Sequence, residues 1–274
     1  MGTWSERTGV RQAGLVMFYG IKPAHFSMLI AECQERVRCI LGSKFQPYRM
    51  DQVHATLVSL EEVQCSSEVN LNFERYRGQR RYMDILGLLD FIRAESSFPF
   101  QVQIGGFRDQ DYLFVSQGQR PYKRSFSVIG DKVVVIGWPV RREALELDEA
   151  STLHLTREED VYPNALEEIR RSLQRFNVLH TYHRVDTDID NDFYLRIGLV
   201  SYLPLDDPRR EQVEQDMRQF LSARKPVILD VTLSDVFIVS FEDNTLPPSS
   251  TQIWPISNTQ VTPAFISQLY RSNS

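Results

Sequence analysis

The chain is expected to adopt an α+β fold, a single domain over residues 1–274 made of two pseudo-twofold halves. Three observations predict it. A strand–helix–strand order occurs near the N-terminus and again after residue 130, several strands alternate apolar and polar residues, and no Pro-, Gly- or Ser-rich linker divides the sequence. At 274 residues and 42% hydrophobic, the chain can bury a substantial core.

Leu15 to Ile21 reads as a buried strand, and Pro23 opens a helical stretch over Ala24 to Leu41. A second strand follows within Asp51 to Leu60 and carries His54 and Thr56. Residues i and i+2 of a strand share a face, so the imidazole can move a proton while the hydroxyl holds the oxygens of the group under attack. Alone, a three-residue H-x-T pattern also fits a core or rim histidine. Phe98 to Phe107 is an alternating strand entered through Pro99 and closed by Gly105 and Gly106.

The second half repeats this order. Asp131 to Pro139 parallels the first strand, and Pro163 to Phe176 supplies a helix with Leu166, Ile169, Leu173 and Phe176 on one stripe. Phe193 to Val200 then parallels the His54 strand, with Tyr194 in the place of His54 and Arg196 in the place of Thr56. Asp207 and Pro208 cap and open a helix through Val213, Met217 and Leu221 that ends before Pro226. Two strand segments lie within Val227 to Phe241, a short one follows at Gln252 to Ile256, and a last helix is expected around Phe265 to Tyr270 before a frayed end. Asp109 to Lys123 reads as an excursion at the rim.

Strand, helix, H-x-T strand, then a Pro-Phe to Gly-Phe alternating strand is an order that resembles the two-histidine (2H) phosphoesterases, the superfamily of LigT-like RNA ligases and cyclic phosphodiesterases. The resemblance implies two lobes, each an antiparallel sheet with outer helices, facing each other across a central groove. One would form mainly from residues 14–61 and the other from 131–203, with strands in 227–256 completing the sheets. It implies a hydrolase acting on a nucleotide or RNA-end phosphodiester, such as a cyclic phosphate, with no cofactor and no metal. In the family one histidine is base and the other acid, and two hydroxyls hold the phosphoryl group. His54, Thr56 and Tyr194 are therefore the catalytic candidates; Arg196, Tyr19, Arg77 and Arg80 are the ligand-binding candidates. The second motif is degenerate. A phenol of reference pKa about 10 can donate a proton but is a poor base at neutral pH, whereas the fork of Arg196 suits phosphate oxygens.

Other features carry weaker signals. His154-Leu155-Thr156 repeats the pattern, but Thr156 and Glu159 form a capping box ahead of a helix, so the motif falls on the wrong element. His180 to Asp192 crowds two histidines and four aspartates into one segment. It lacks the Gly and Glu of a calcium loop and the Cys partners of a zinc site, and reads as a solvated acidic turn. It lies beside the expected groove, so one of its histidines could substitute for the missing one. Phe73 to Tyr82 interleaves aromatics with Arg75, Arg77, Arg80 and Arg81, a mixture that stacks bases and pairs phosphates but equally suits a solvated loop.

The net charge of -5 and pI near 5.6 exclude a global basic surface, so nucleotide recognition must be local. Cys33, Cys39 and Cys65 are an odd count without C-x-x-C spacing, which implies a reducing compartment. No apolar run is long enough to cross a bilayer. Met1 to Arg7 has polar residues where a signal peptide needs apolar ones, and Glu6 sits where a myristoylation signal needs Ser or Thr, so no membrane partner and a cytoplasmic location are expected. Two functional classes remain: a metal-independent phosphoesterase, or a nucleotide- or RNA-binding module that kept the pocket and lost turnover.

Overall fold

The computed structural model describes residues 11–63, 68–95, 97–141, 161–201, 203–204 and 206–271; the second H-x-T pattern at His154 and the thiol of Cys65 lie outside them. The fold is α+β, with one large antiparallel sheet and seven α-helices among the described residues. The strands are β1 (Gln12–Met17), β2 (Phe45–Pro47), β3 (His54–Ser59), β4 (Phe100–Ile104), β5 (Phe126–Ile129), β6 (Lys132–Val140), β7 (Phe193–Val200), β8 (Val227–Val231), β9 (Val236–Phe241) and β10 (Gln252–Pro255). The sheet runs β10-β9-β1-β3-β7-β6-β4-β8, with β2 paired to β7 and β5 to β6. The helices are α1 (Ala24–Leu41), α2 (Leu71–Arg77), α3 (Ile85–Ala94), α4 (Pro121–Arg124), α5 (Ala165–Ser172), α6 (Pro208–Ala223) and α7 (Pro263–Leu269). None is long and apolar enough to cross a membrane.

Helix α1 keeps the bounds that Pro23 and its apolar spacing predict, burying Phe26, Leu29, Ile30, Cys33, Val37 and Leu41 on one stripe and stopping at Gly42 with φ +56°. Helix α5 begins two residues after Pro163 and tightens into a 3-10 turn over Leu173–Phe176, with Leu166, Ile169 and Leu173 fully buried. Asp207 caps α6 by accepting from the Arg209 amide, and Pro208 occupies its first turn. Gly105 and Gly106 both have φ +77°, and a Cβ on either would press on the Leu221 carbonyl or the Pro226 ring. The pair is what lets β4 end against the close of α6.

The arrangement of the strands differs from the expectation of two separate facing sheets. The His54 and Tyr194 strands are hydrogen-bonded neighbours, with His54 opposite Arg196 and Ala55 opposite Leu195. The physical reason is that both strands are apolar on their helix-facing side and neither can stand as an open edge; pairing them removes two edges at once. Strand β4 comes from the first half of the sequence yet lies between β6 and β8, far from β3. The C-terminal strands divide, β9 and β10 extending the sheet beyond β1 and β8 extending it beyond β4.

One face of the sheet is covered by the main core, where Leu15, Met17, Ala55, Leu57, Val133, Val135, Leu195 and Ile197 meet the stripes of α1 and α5. The other face carries two smaller clusters. Val16, Tyr19, Val239, Phe241 and Leu246 form the first; Val134, Ile136, Trp138 and Tyr194 pack with Phe107, Phe114 and Tyr162 in the second. Between these clusters, at the β3–β7 join, the face turns polar.

Candidate functional site

Strand alternation decides what the join presents. His54, Thr56, Tyr194 and Arg196 alternate with core residues, so all four are on the face away from the main core. They border one cavity of about 280 Å³, together with Asn72, Lys132, His180, Tyr182 and Asn244 among others. The four residues singled out by the two motif strands thus come together.

His54 is fully buried. Its Nδ1 lies 2.8 Å from the Gln52 carbonyl, which accepts the ring N–H and leaves Nε2 as the lone-pair nitrogen; among the described residues no group meets Nε2. Burial first, then the nearby Arg196 and Lys22 charges, pull the pKa of His54 down to about 3, so the ring is neutral at physiological pH. Lys22 is itself held behind the strand by the Gly20 and Met50 carbonyls.

Arg196 donates from Nη1 to the Asn244 carbonyl at 3.3 Å, and its Nε is buried with no partner among the described residues. A second cation, Lys132, borders the cavity, its pKa lowered by burial and then by Arg196. Glu61 and Asp131 also border it and offset part of this charge. Tyr194 is pushed far above the ordinary phenol range by burial and then by the Tyr182 hydroxyl, so it is a proton donor only.

The segment from His180 to Asp192 is not the solvated turn that its composition suggests. Arg184 to Thr187 and Ile189 are exposed, whereas His180, His183, Asp190 and Asp192 are buried. Arg170, on α5 and fully buried, is the reason. Its guanidinium donates to the carbonyls of Thr56, Leu57, Asp190 and Asp192 and pairs with the Asp190 carboxylate at 3.0 Å. Asp192 accepts from Ser116, Trp138 and Arg124. His183 meets Glu167 at 2.7 Å; burial alone would raise that carboxyl, but the His183 hydrogen bond and the Asp190 amide hold it at about 2.

His180 is the member of this network that reaches the cavity. Its Nε2 is 2.8 Å from Asp190, and its Nδ1 is buried without a partner among the described residues. The loop is fixed from α2: Asn70 caps the helix and accepts the Leu179 amide, and Asn72 donates to Thr181. Among the described residues, no three His, Cys, Asp or Glu side chains are grouped to hold a metal ion.

The other ligand-binding candidates lie elsewhere. Tyr19 packs behind His54, ring centroids 6.1 Å apart, with its hydroxyl given to the Leu246 carbonyl. Arg77 ties α2 to the carbonyls of His183 and Arg184, and Arg80 is exposed beside Glu74. Neither arginine borders the cavity. Lys132 and Asn244 were not singled out by the sequence; the one signal for Lys132 is its position, a lone charge at the start of an apolar strand. A larger cavity of about 1020 Å³ lies between Tyr112–Gly118 and the 182–192 segment, lined about equally by aromatic or apolar residues and by polar ones. Size favours it as a pocket, and Arg184, Asp188 and Asp192 border it, but among the described residues it has no imidazole, whereas the smaller one has two.

No protein-family model matches the sequence, and no curated protein matches it. Among the solved structures that resemble the chain are two at 13% identity. That of TT0787 from Thermus thermophilus aligns at 13% identity and a TM-score of 0.38, over 89% of this chain and 93% of that one. That of ATU0111, a conserved protein of unknown function from Agrobacterium tumefaciens, aligns at 13% identity and a TM-score of 0.43, over 85% of this chain and 82% of that one.

Proposed function

We propose that the chain is a 2H phosphoesterase-like protein that takes a nucleotide or RNA-end phosphate, such as a 2′,3′-cyclic phosphate, into the cavity at the β3–β7 join. Arg196 and Thr56 hold the phosphoryl oxygens, His54 Nε2 accepts a proton, and Tyr194 donates a hydrogen bond. The observation that carries the reading is the convergence of these four side chains around one cavity, with Arg196 Nε and His54 Nε2 left without a partner among the described residues.

Approximate twofold symmetry supports the two-lobe part of the reading. An axis through the Ala55–Leu195 pair relates β3 to β7, β1 to β6, β9 to β4 and β10 to β8. Each motif strand carries a register shift at the same place. Leu57, three residues after His54, is the extra residue against β1, and Ile197, three after Tyr194, is the extra residue against β6. The freed carbonyls are taken crosswise: Gln34 of α1 donates to Ile197 at 2.9 Å, and Arg170 of α5 donates to Leu57 at 3.1 Å. Under this symmetry Tyr194 takes the place of His54 and Arg196 that of Thr56. The lobes would join at their motif strands, the groove running along the join.

A second reading, a binding module without turnover, is favoured by one observation: the low pKa of His54 makes it a weak base, and Tyr194 cannot act as one. Calorimetry with cyclic and linear nucleoside monophosphates tests what both readings share. A charge-assisted contact is worth roughly 1.5–3 kcal/mol, so Arg196→Ala should weaken binding about ten- to a hundredfold and Tyr194→Phe by less. Equal losses, or a parent protein that binds no phosphate ester, would remove the reading.

A further inference from the structure

We propose that His180, held by Asp190, is the second acid–base group of this cavity, becoming imidazolium when a phosphate ester binds and giving its Nδ1 proton to the leaving oxygen. The inference rests on the phosphoester reading and supplies what that reading lacks, since the degenerate motif offers a phenol where a second imidazole is needed.

The geometry carries it. Among the described residues, His180 and His54 are the two imidazoles that border the cavity, one from the loop before β7 and one from β3. Each has one ring nitrogen committed to the protein, Nε2 to Asp190 and Nδ1 to the Gln52 carbonyl, and each has the other nitrogen buried and unpartnered. An unpartnered buried nitrogen is costly unless a ligand or water meets it. The two differ in what stands behind them. His54 has a carbonyl behind it and the Arg196 and Lys22 charges near it, with Tyr19 at its back, a setting that keeps it a neutral base. His180 has a buried carboxylate behind it, the arrangement that orients an imidazole and stabilises its imidazolium. Arg170 and the neighbouring His183, ring centroids 5.7 Å apart, oppose that charge, and Tyr182 packs beside it. In the absence of ligand, burial and Arg170 hold His180 at about 4, so it is neutral at rest. An incoming phosphate anion adds a negative charge to the cavity and draws in the proton.

The step then balances. Water forms a bond to phosphorus as His54 Nε2 takes its proton, the ring P–O bond breaks with its electron pair going to the ribose oxygen, and that oxygen takes the proton of His180 Nδ1. Product release leaves His54 as imidazolium and His180 neutral, and proton exchange with solvent resets both. The sum is water plus cyclic phosphate to monoester.

Two measurements test the assignment. In the unmodified protein, the imidazole nitrogen resonances of His180 should change from neutral to protonated on saturation with a nucleoside 3′-monophosphate at neutral pH, with one proton taken up per ligand in calorimetry across buffers. His180→Gln should lower turnover of a 2′,3′-cyclic nucleotide roughly 10²–10⁴-fold with the ligand Kd within about tenfold of the parent. Asp190→Asn should move the alkaline limb of the pH–rate profile to lower pH. Binding with His180 still neutral, or full turnover by His180→Gln, overturns the assignment and leaves the phosphoester reading standing. Failure of the unmodified protein to bind any phosphate ester overturns that reading and this inference with it.

Discussion

Two imidazoles buried in neutral form should make this protein labile to mild acid, well above the range in which its carboxylates titrate. His54 and His180 have folded pKa values near 3 and 4, set first by burial, against about 6.5 for an unfolded histidine. Between those limits the unfolded chain binds more protons than the folded one, so stability falls as pH falls. Each group's slope rises toward about 1.4 kcal/mol per pH unit as the pH falls below 6.5, and between pH 6.5 and 5 the pair removes about 3 kcal/mol. Glu167 and Asp190, whose carboxyls are depressed in the fold, begin to contribute only below about pH 4.3, as they approach their unfolded values. Asp192, raised by burial and by Asp190, has the opposite sign and takes back part of the loss. Against a total of about 5–15 kcal/mol, the effect is large. Urea unfolding at pH 7, 6 and 5 reads it directly, and His54→Gln should reduce the slope by about 1.4 kcal/mol per unit. A stability that is flat from pH 6.5 to 5, or a slope unchanged in both His54→Gln and His180→Gln, would refute neutral burial of these rings.

Arg170→Met should cost about 3–5 kcal/mol, because it leaves the Asp190 carboxylate buried without its guanidinium and frees the Thr56, Leu57 and Asp192 carbonyls; for a chain of this size the Tm should drop by roughly 6–20 °C. A Tm within 2–3 °C of the parent, roughly the effect of 1 kcal/mol, would mean that water replaces the network. Tyr194→His combined with Arg196→Thr restores the two-histidine pattern at the twofold-related positions and should raise turnover of a 2′,3′-cyclic nucleotide, with a larger relative gain in a His180→Gln background. If the parent and the restored protein both bind nucleotides yet neither turns them over, the binding-module reading holds.

Much of this molecule could be read from local sequence, and the remainder depends on pairings that local sequence does not encode. Pro23 and the i, i+3, i+4 spacing of Phe26, Leu29, Ile30, Cys33 and Val37 suffice for α1, and the β-branched and aromatic run from Phe193 to Val200 suffices for β7. Periodicity says that a strand exists and which side chains share its face. It does not name the neighbour, and so β4 could be recognised as a strand while its place between β6 and β8 could not. The short hairpin strand β5 escaped notice because four residues carry too little alternation.

The acidic segment failed for a different reason. Its aspartates count as solvated by composition, but Arg170 reaches Asp190 from 20 residues away and Arg124 reaches Asp192 from 68 away, and a buried carboxylate needs only one such partner to change sides. That same burial delivers His180 to the cavity. Three stretches of chain supply the groups proposed to act in this pocket: β3 gives His54, the loop before β7 gives His180, and β7 gives Tyr194 and Arg196. Arg170 links the first two physically, since one guanidinium holds both the Leu57 carbonyl beside the H-x-T motif and the Asp190 carboxylate behind His180. On the proposed reading, a degenerate second motif is therefore no measure of lost chemistry, because the network that buries the acidic loop also brings an imidazole to the cavity that the motif borders.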